Sequence, residues 1–554
     1  MKEWIQNDQP EISRVKELNR TLKIPEFICS LLLQRNISGL ELAKQFFRPD
    51  LELLNDPFLM KDMEKVIKRI EESSYEKIMI LGDYDVDGTT SAAMLFKYLQ
   101  LKDFDVIYYI PDRYLEGYGV SVDSIMFAEQ NNISLIITVD CGIKAVDQVD
   151  IAKSKKIDVI ICDHHLPGNK LPDALGILNP KQLNCDYPFK DLCGCGIVFK
   201  LITAHNMVSS NQIEIFQFLD FVALATVSDM MPLVDENRIM VFHGLRVINL
   251  NPRTGLRNFL SSINNKIDES KISFNIGPRI NAAGRMKNGK MIVELLIEEN
   301  MNTATKLSNE VEFLNQSRRR IEKDVLDEAE KQIDLNRFTN IVYSDNWSQG
   351  VLGIVASRLI EKSYKPTIVM TKSNEDLLTG SVRSVKGFDV YQALLECKEI
   401  IHQFGGHKYA AGLKVKKSSF KSFKDKFEKI VEDTVQGKMF QRLFFYDSEI
   451  NFLDLNIENV KIIMRMAPFG MGNKKPVFRT NNCSLSKKLE FVGKDSQIVK
   501  SMIKDQLGEE LPFICFDKKH ILVNTKESFD ILYTININSY SGKEKVELNL
   551  REIN

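Results

Sequence analysis

The chain has 554 residues, 44% of them hydrophobic and 27% charged, the composition of ordinary soluble globular domains. Its 74 basic and 75 acidic residues leave a net charge of −1, so no whole-chain field advertises a polyanionic partner and only local charge distribution can. At this length a single hydrophobic core is excluded, and roughly two to four domains are expected. No apolar run approaches the roughly twenty residues of a membrane helix, so no membrane association is expected. Nine cysteines without regular spacing, and a start "MKEWIQNDQPEI" that lacks a basic-then-apolar leader, point to a reducing cytoplasm and no disulfide framework.

Residues 1 to about 60 read as helices and carry little else. From residue 77 onward short β-branched runs ("KIMILG", "DVIYYI", "SLIITV", "DVIIC", "ALGIL") alternate with helical stretches, which predicts a parallel sheet covered on both faces. The first run leads into "LGDYDVDG", with Asp83, Asp85 and Asp87 at alternate positions. A calcium loop would need Glu at its twelfth position and a helix in front of it, but counting from Asp83 gives Met94 and the preceding segment is strand-like. A phosphate-cradling loop would need Gly-Lys-Ser/Thr and not a cluster of acids. Hard-cation ligation or a solvated polar turn remain.

Later runs end in the same way. "TVDCG" ends in Asp140, "IICDHH" in Asp163, His164 and His165, and "ATVSDMMPL" supplies Asp229 after a helix-like stretch. In an open α/β sheet, groups at the carboxyl ends of neighbouring strands converge on one crevice. Four segments therefore aim acids and imidazoles at one place. Asp87 stands where a turn or helix-cap acid would, and it reads as one. The pair Cys193 and Cys195 in "DLCGCGIVFKL", with Cys185 upstream, lacks the second pair that a zinc site wants. Small buried thiols are the better reading.

Residues 302–335 read as one long connecting helix, with "SRRR" at 317–320 on a solvated face. Strand and helix signals resume over 338–435. From about 444, "KPVFRTNNCSLS", "KLEFVGK", "FDILYTININS" and "KVELNLREI" are short strands separated by turn residues, suggesting a small barrel of the oligonucleotide-binding (OB) type. The expected boundaries are 1–60, an N-terminal helical extension; 61–300, a catalytic α/β domain; 301–337, the connecting helix; 338–435, a smaller α/β substrate-binding domain; and 436–554, the OB-like domain.

Nine motifs in order resemble a known family. "GDYDVDG", "TVDCG", "DHH" and "SDMMPL" are similar to the metal-binding motifs of the DHH phosphoesterase superfamily. "NIGPRINAAGRM", "WSQGVLGIVASRL", "GSVRS", "FGGHKYAAG" and "PFGMGNKKPVF" narrow the resemblance to its RecJ branch of single-strand-specific exonucleases. The resemblance implies a DHH domain, a DHHA1-type second domain and two divalent ions, Mn2+ or Mg2+. Two such ions roughly 3.5 to 4 Å apart serve phosphodiester hydrolysis by activating water and neutralising the transition state. By resemblance Asp83 holds one ion, Asp85, His164 and Asp229 hold the other, and Asp140 bridges them. Asp163 then orients an imidazole, and His165 sits near the phosphate or the first ion. Some relatives carry a His two residues before the first acid, where this chain has Leu81.

The resemblance further implies that His407, with Gly405 and Gly406, meets the scissile phosphate from the second domain. Arg279 and Asn281 would contact the strand backbone, and Ser381, Arg383 and Arg113 would form a pocket for the 5' end. The family often has Ser-Gly-Arg where this chain reads Ser381-Val382-Arg383, which predicts a lost backbone contact. His205, His243, His402 and His520 have no motif around them.

The expected activity is a 5'-to-3' single-stranded-DNA exonuclease that releases 5' mononucleotides in DNA repair and recombination. Its implied partners are single-stranded DNA, a helicase and single-strand-binding protein, with the enzyme itself a monomer. A phosphodiesterase for nanoRNA or cyclic dinucleotides would share both α/β domains but would not need the barrel. A non-enzymatic scaffold would lack ligands, and all the expected ones are present.

Overall fold

The computed structural model describes residues 3–261, 263, 266–436, 438, 440–493, 497–516, 528–538 and 543–554; His520 lies outside them. Two units are present: Met1–Ile280 with Gly289–Ser308 and Leu443–Asn554, and Asn281–Asn288 with Asn309–Arg442.

The centre of the first unit is a five-stranded, all-parallel sheet. Its order is Asp105–Tyr109, Lys77–Gly82, Leu135–Val139, Asp158–Cys162, Gly176–Leu178. These strands are continuous apolar runs because both faces are covered: Met79, Leu81, Ile136 and Ile161 pack in one cluster with Ile125, Ala128 and Val149 from the helices Val122–Gln130 and Val146–Ser154. Leu81 is therefore a core residue. The chain winds outward in opposite directions from Lys77–Gly82 and Leu135–Val139, so the sheet's switch point lies between them. The acids of residues 83–87 and Asp140 follow these two strands directly.

The segment from 444 closes into a ring. Phe478–Leu485, Phe529–Asn538, Lys545–Ile553, Glu510–Cys515 and Ile498–Lys504 pair in succession, and Ser484 and Leu485 pair back onto Lys504 and Ile503. This is a five-stranded OB-type barrel with short additional strands. The N-terminal helices Ile12–Leu22 and Glu26–Leu33 bury Val15, Leu18, Ile28 and Leu31 in the same core as barrel residues Phe478, Val499 and Tyr533. Trp4–Gln6 pairs in parallel with Phe444–Tyr446.

The second unit is a five-stranded mixed sheet in the order Ile401–His407, Ala410–Lys416, Leu377–Arg383, Thr367–Lys372, Asn340–Ser344. Only the last pair is parallel. The long helix spans Met301–Glu330, shorter at its C-terminal end than the apolar spacing predicts. Arg318 in its "SRRR" run is buried, bonding Asn315 and Glu322, and does not belong to a solvated face.

Candidate active site

Asp83, Asp85 and Asp87 take three different roles because the chain passes from strand to helix beneath them. Asp85 is the N-cap of helix Val86–Leu101, its Oδ1 accepting the Gly88 N–H at 3.0 Å. Asp87 lies in the first turn and is buried; its two oxygens accept the backbone N–H groups of Gly194 and Cys195, each at 2.7 Å. The capping role expected of Asp87 thus falls to Asp85. Asp83 is buried, and its Oδ1 has no hydrogen-bond partner among the described residues.

Asp140 follows the next strand in the left-handed region, φ 60°. Its N–H donates to the Cys162 carbonyl at 2.9 Å and its carbonyl accepts the Tyr118 hydroxyl at 3.0 Å. His164 Nε2 faces three carboxylates: Asp140 Oδ1 at 3.2 Å, Asp229 Oδ2 at 3.7 Å and Asp87 Oδ2 at 3.8 Å. Asp229 reaches it as the C-cap of helix Leu219–Ser228. Asp163 stands behind, accepting the N–H of Ile143 at 2.9 Å, the N–H of His165 at 3.0 Å, and Nδ1 of His165 at 2.7 Å.

Donor atoms converge in three groups: Asp83, Asp85 and Asp140; Asp87, His164 and Asp229; and Asp140, His164 and His165. Asp87, not Asp85, is the loop acid grouped with His164 and Asp229. A hard cation about 2.1 Å from each ligand keeps those ligands roughly 3 to 4.3 Å apart, which is the spacing around His164. The electrostatics ask for such ions. Burial, then Asp85, raises Asp83 well above the usual carboxylate range; burial, then Asp87 and Asp85, does the same to Asp140. Burial with neighbouring acids lifts Asp87 to about 6 and Asp229 to about 8. Burial, then the neighbouring His165, lowers His164 to about 3, which favours its neutral imidazole. His165 is raised despite burial, because Asp163 bonds it. Oxygen-rich donors with one neutral imidazole fit Mn2+ or Mg2+.

Arg113 lies over the Tyr84 ring, 4.9 Å from its centroid. It sits on a loop where Glu116 accepts the Tyr109 hydroxyl, the Asp112 N–H and the Ser121 hydroxyl. Arg279 is on helix Gly277–Met286 in the first unit, whereas Asn281 on the same helix falls in the second.

In the second unit Arg383 Nη1 donates to Ser381 Oγ at 3.0 Å. Both side chains lie against Gly353 near the start of helix Leu352–Lys362, where a Cβ would come within 2.7 Å of Arg383 Nη2 and 3.0 Å of Ser381 Oγ. Val382 between them points to the opposite face and is fully buried in the core. The family's glycine is replaced by a core side chain, with Ser381 and Arg383 still on the outer face. Gly405, Gly406 and His407 are on the edge strand, His407 exposed and paired with Ala410; Gly406 takes φ 149°, and a Cβ there would meet the Ala410 carbonyl at 2.5 Å.

Residues 77–226 match the DHH family, N-terminal domain; residues 337–433 match the DHHA1 domain; and residues 446–552 match the RecJ OB domain. The single-stranded-DNA-specific exonuclease RecJ of Bacillus subtilis is 34% identical over 98% of this chain and 70% of its own length. That of Escherichia coli is 30% identical over 99% of both. This chain belongs to the RecJ family. A crystal structure of RecJ from Thermus thermophilus in complex with Mn2+ shares the fold, with a TM-score of 0.87 at 23% identity, covering 100% of this chain and 79% of that one. A second, of exonuclease RecJ bound to manganese, has a TM-score of 0.62 at 29% identity over 70% of this chain and 99% of that one.

Within this RecJ chain, sequence reasoning overlooked Tyr118 and the Gly194–Cys195 amides. Tyr118 lay in "EGYG" beside Arg113, a turn-like stretch with no chemical signature. The amides were hidden because "CGCG" draws the eye to its thiols. All nine cysteines are buried, and the Cys193 Sγ caps helix Gly194–Val208 by accepting the Gly196 N–H at 3.2 Å.

Proposed function

We propose that this chain hydrolyses phosphodiester bonds of single-stranded DNA from the 5' end, releasing mononucleotides, with two divalent ions, Mn2+ or Mg2+. The observation that carries the reading is the pair of donor groups that meet at Asp140 on the sheet's switch point. Asp83, Asp85 and Asp140 would hold one ion; Asp87, Asp140, His164 and Asp229 would hold the other. Two such ions supply an activated water and neutralise charge on the phosphorane-like transition state. His165 bonds Asp163 through Nδ1, and that carboxylate favours its charged form; as an imidazolium it would carry a second proton, at Nε2, to donate to a phosphate oxygen.

The second unit supplies the end selection. Ser381, Arg383 and the start of helix Leu352–Lys362 form an anion-binding group suited to a terminal phosphate, which carries more charge than an internal diester. His407 beside Gly405 and Gly406 offers a basic side chain on a backbone that allows close approach of a strand. Arg113 would join Ser381 and Arg383 in receiving the 5' end, and Arg279 and Asn281 would contact the strand backbone. The barrel favours a polymeric substrate over a cyclic dinucleotide or nanoRNA.

Among the described residues no helix is long and apolar enough to cross a membrane, and nine buried cysteines without a disulfide framework support a reducing compartment such as the cytoplasm. A monomer working beside a helicase and single-strand-binding protein in DNA repair and recombination fits an enzyme that needs an opened strand.

The test is degradation of a 5'-labelled single strand, the same strand as duplex, and a dinucleotide, each with Mn2+, Mg2+ or EDTA. Label should leave the single strand as mononucleotide, the duplex should persist, and EDTA or Asp140→Asn should stop the reaction while single-strand binding survives. Preferential cleavage of the dinucleotide would transfer the chain to small-substrate phosphodiesterases.

A further inference from the structure

We infer that the first turn of helix Gly194–Val208 sets the spacing of the two ion-binding groups, with Gly194 and Cys193 as positioning residues. The inference rests on the two-ion reading and extends it to residues outside the ligand set.

Gly194 touches both groups at once. Its N–H and that of Cys195 hold the two oxygens of Asp87 at 2.7 Å each, which fixes the carboxylate's rotation. On its other side, a Cβ added at 194 would lie 2.7 Å from Asp140 Cβ, 2.9 Å from Asp140 Cα and 3.0 Å from Asp140 Oδ1. Asp140 cannot yield easily, since its left-handed backbone is bonded at the N–H by Cys162 and at the carbonyl by Tyr118. A side chain at 194 must therefore displace the turn whose amides hold the Asp87 carboxylate, and with it the placing of Asp87 relative to Asp140.

The turn is also tied to the third ligand segment. Cys193 Sγ accepts the Gly196 N–H at 3.2 Å and lies 3.3 Å from Thr226 Oγ1, on the helix that ends at Asp229. One helix start thus braces Asp87, abuts Asp140 and contacts the helix that delivers Asp229. Gly196 offers an internal comparison. The nearest atoms to a Cβ there would be Leu192 carbons at 3.4 and 3.5 Å and Cys193 Sγ at 3.6 Å, ordinary contact.

The experiment is Mn2+ binding to the full-length chain by calorimetry, with the Mn2+ concentration for half-maximal single-strand hydrolysis measured alongside. Gly194→Ala should weaken Mn2+ binding by about tenfold or more, the scale on which groups behind a metal ligand act, with single-strand binding unchanged. Gly196→Ala should bind Mn2+ as wild type does. Should Gly194→Ala not fold, the decision passes to position 193: Cys193→Ala should weaken Mn2+ binding and Cys193→Ser, which restores an N-cap acceptor, should recover it. Wild-type Mn2+ affinity in a folded Gly194→Ala chain, or in Cys193→Ala, overturns the inference alone, even if the melting temperature falls. A wild-type chain that binds no Mn2+ overturns the two-ion reading beneath it.

Discussion

Asp87 and Asp229 carry protons in the metal-free protein that ordinary aspartates have lost. Burial and acidic neighbours lift them to about 6 and about 8, from 3.8. Their folded values exceed their unfolded ones, so between about pH 4 and 8 these two groups bind more protons in the folded chain than in the unfolded one, and their contribution to stability falls as pH rises through that window, whereas His164, lowered to about 3, works the other way below its usual 6.5. The melting temperature in EDTA should therefore drop between about pH 5 and 8, and added Mn2+ should reverse the trend by taking the place of the protons. A melting temperature in EDTA that rises over that range would contradict the crowding of unpaired carboxylates around His164. The same residues mark the limit of reading a loop by spacing. Acids at alternate positions were legible as a cation site, but which acid joins which group was not. A strand-to-helix turn leaves Asp85 at the cap and turns Asp87, in the first helical turn, inward to His164, and residue spacing does not encode that rotation.

Elements were legible where successive apolar runs each end in an acid: one such acid can simply cap the next helix, as Asp85 does, but several on neighbouring strand ends converge on one crevice. Less legible were the close approaches between elements, which leave only a glycine in the sequence. Gly244 on helix Asp235–Leu250 is one: a Cβ there would fall 2.2 Å from the Leu219 carbonyl and 2.6 Å from Ala223 Cβ, on the helix that ends at Asp229. Gly244→Ala must part the two helices. The expected cost is about 1 to 3 kcal/mol, as for other overpacked cores, together with weaker Mn2+ binding as Asp229 shifts. Urea denaturation and Mn2+ titration of the variant check both effects; an unchanged urea midpoint would mean that the pair packs more loosely than these distances allow. Val382 shows the opposite case. The departure from the family's glycine, from which a lost backbone contact is predicted, is a side chain facing the core, and strand alternation alone shows that facing.

At the scale of the whole molecule, the two ends of the chain form one body. The N-terminal helices bury their apolar faces in the barrel's core, Trp4–Gln6 extends Phe444–Tyr446, and Arg238 of the catalytic domain binds both ends. Its guanidinium donates to the carbonyls of Phe46 and Ala467, each at 2.9 Å, and stacks 3.9 Å over the Phe46 ring. This mutual burial was beyond the sequence, because amphipathic helices at one terminus do not say which surface they will cover. It makes the effects of truncation non-additive. Deleting residues 444–554 leaves Val15, Leu18, Ile28 and Leu31 without a core, and deleting residues 1–48 strips the barrel in the same way, so either fragment should aggregate. Removing both segments together takes away each exposed face along with its cause. The doubly truncated chain should therefore be more soluble and melt at a higher temperature than either single truncation, although it has lost more residues. Soluble yield and melting temperature of the three fragments decide the matter: if either single truncation equals or exceeds the double one, the shared core does not hold the termini together.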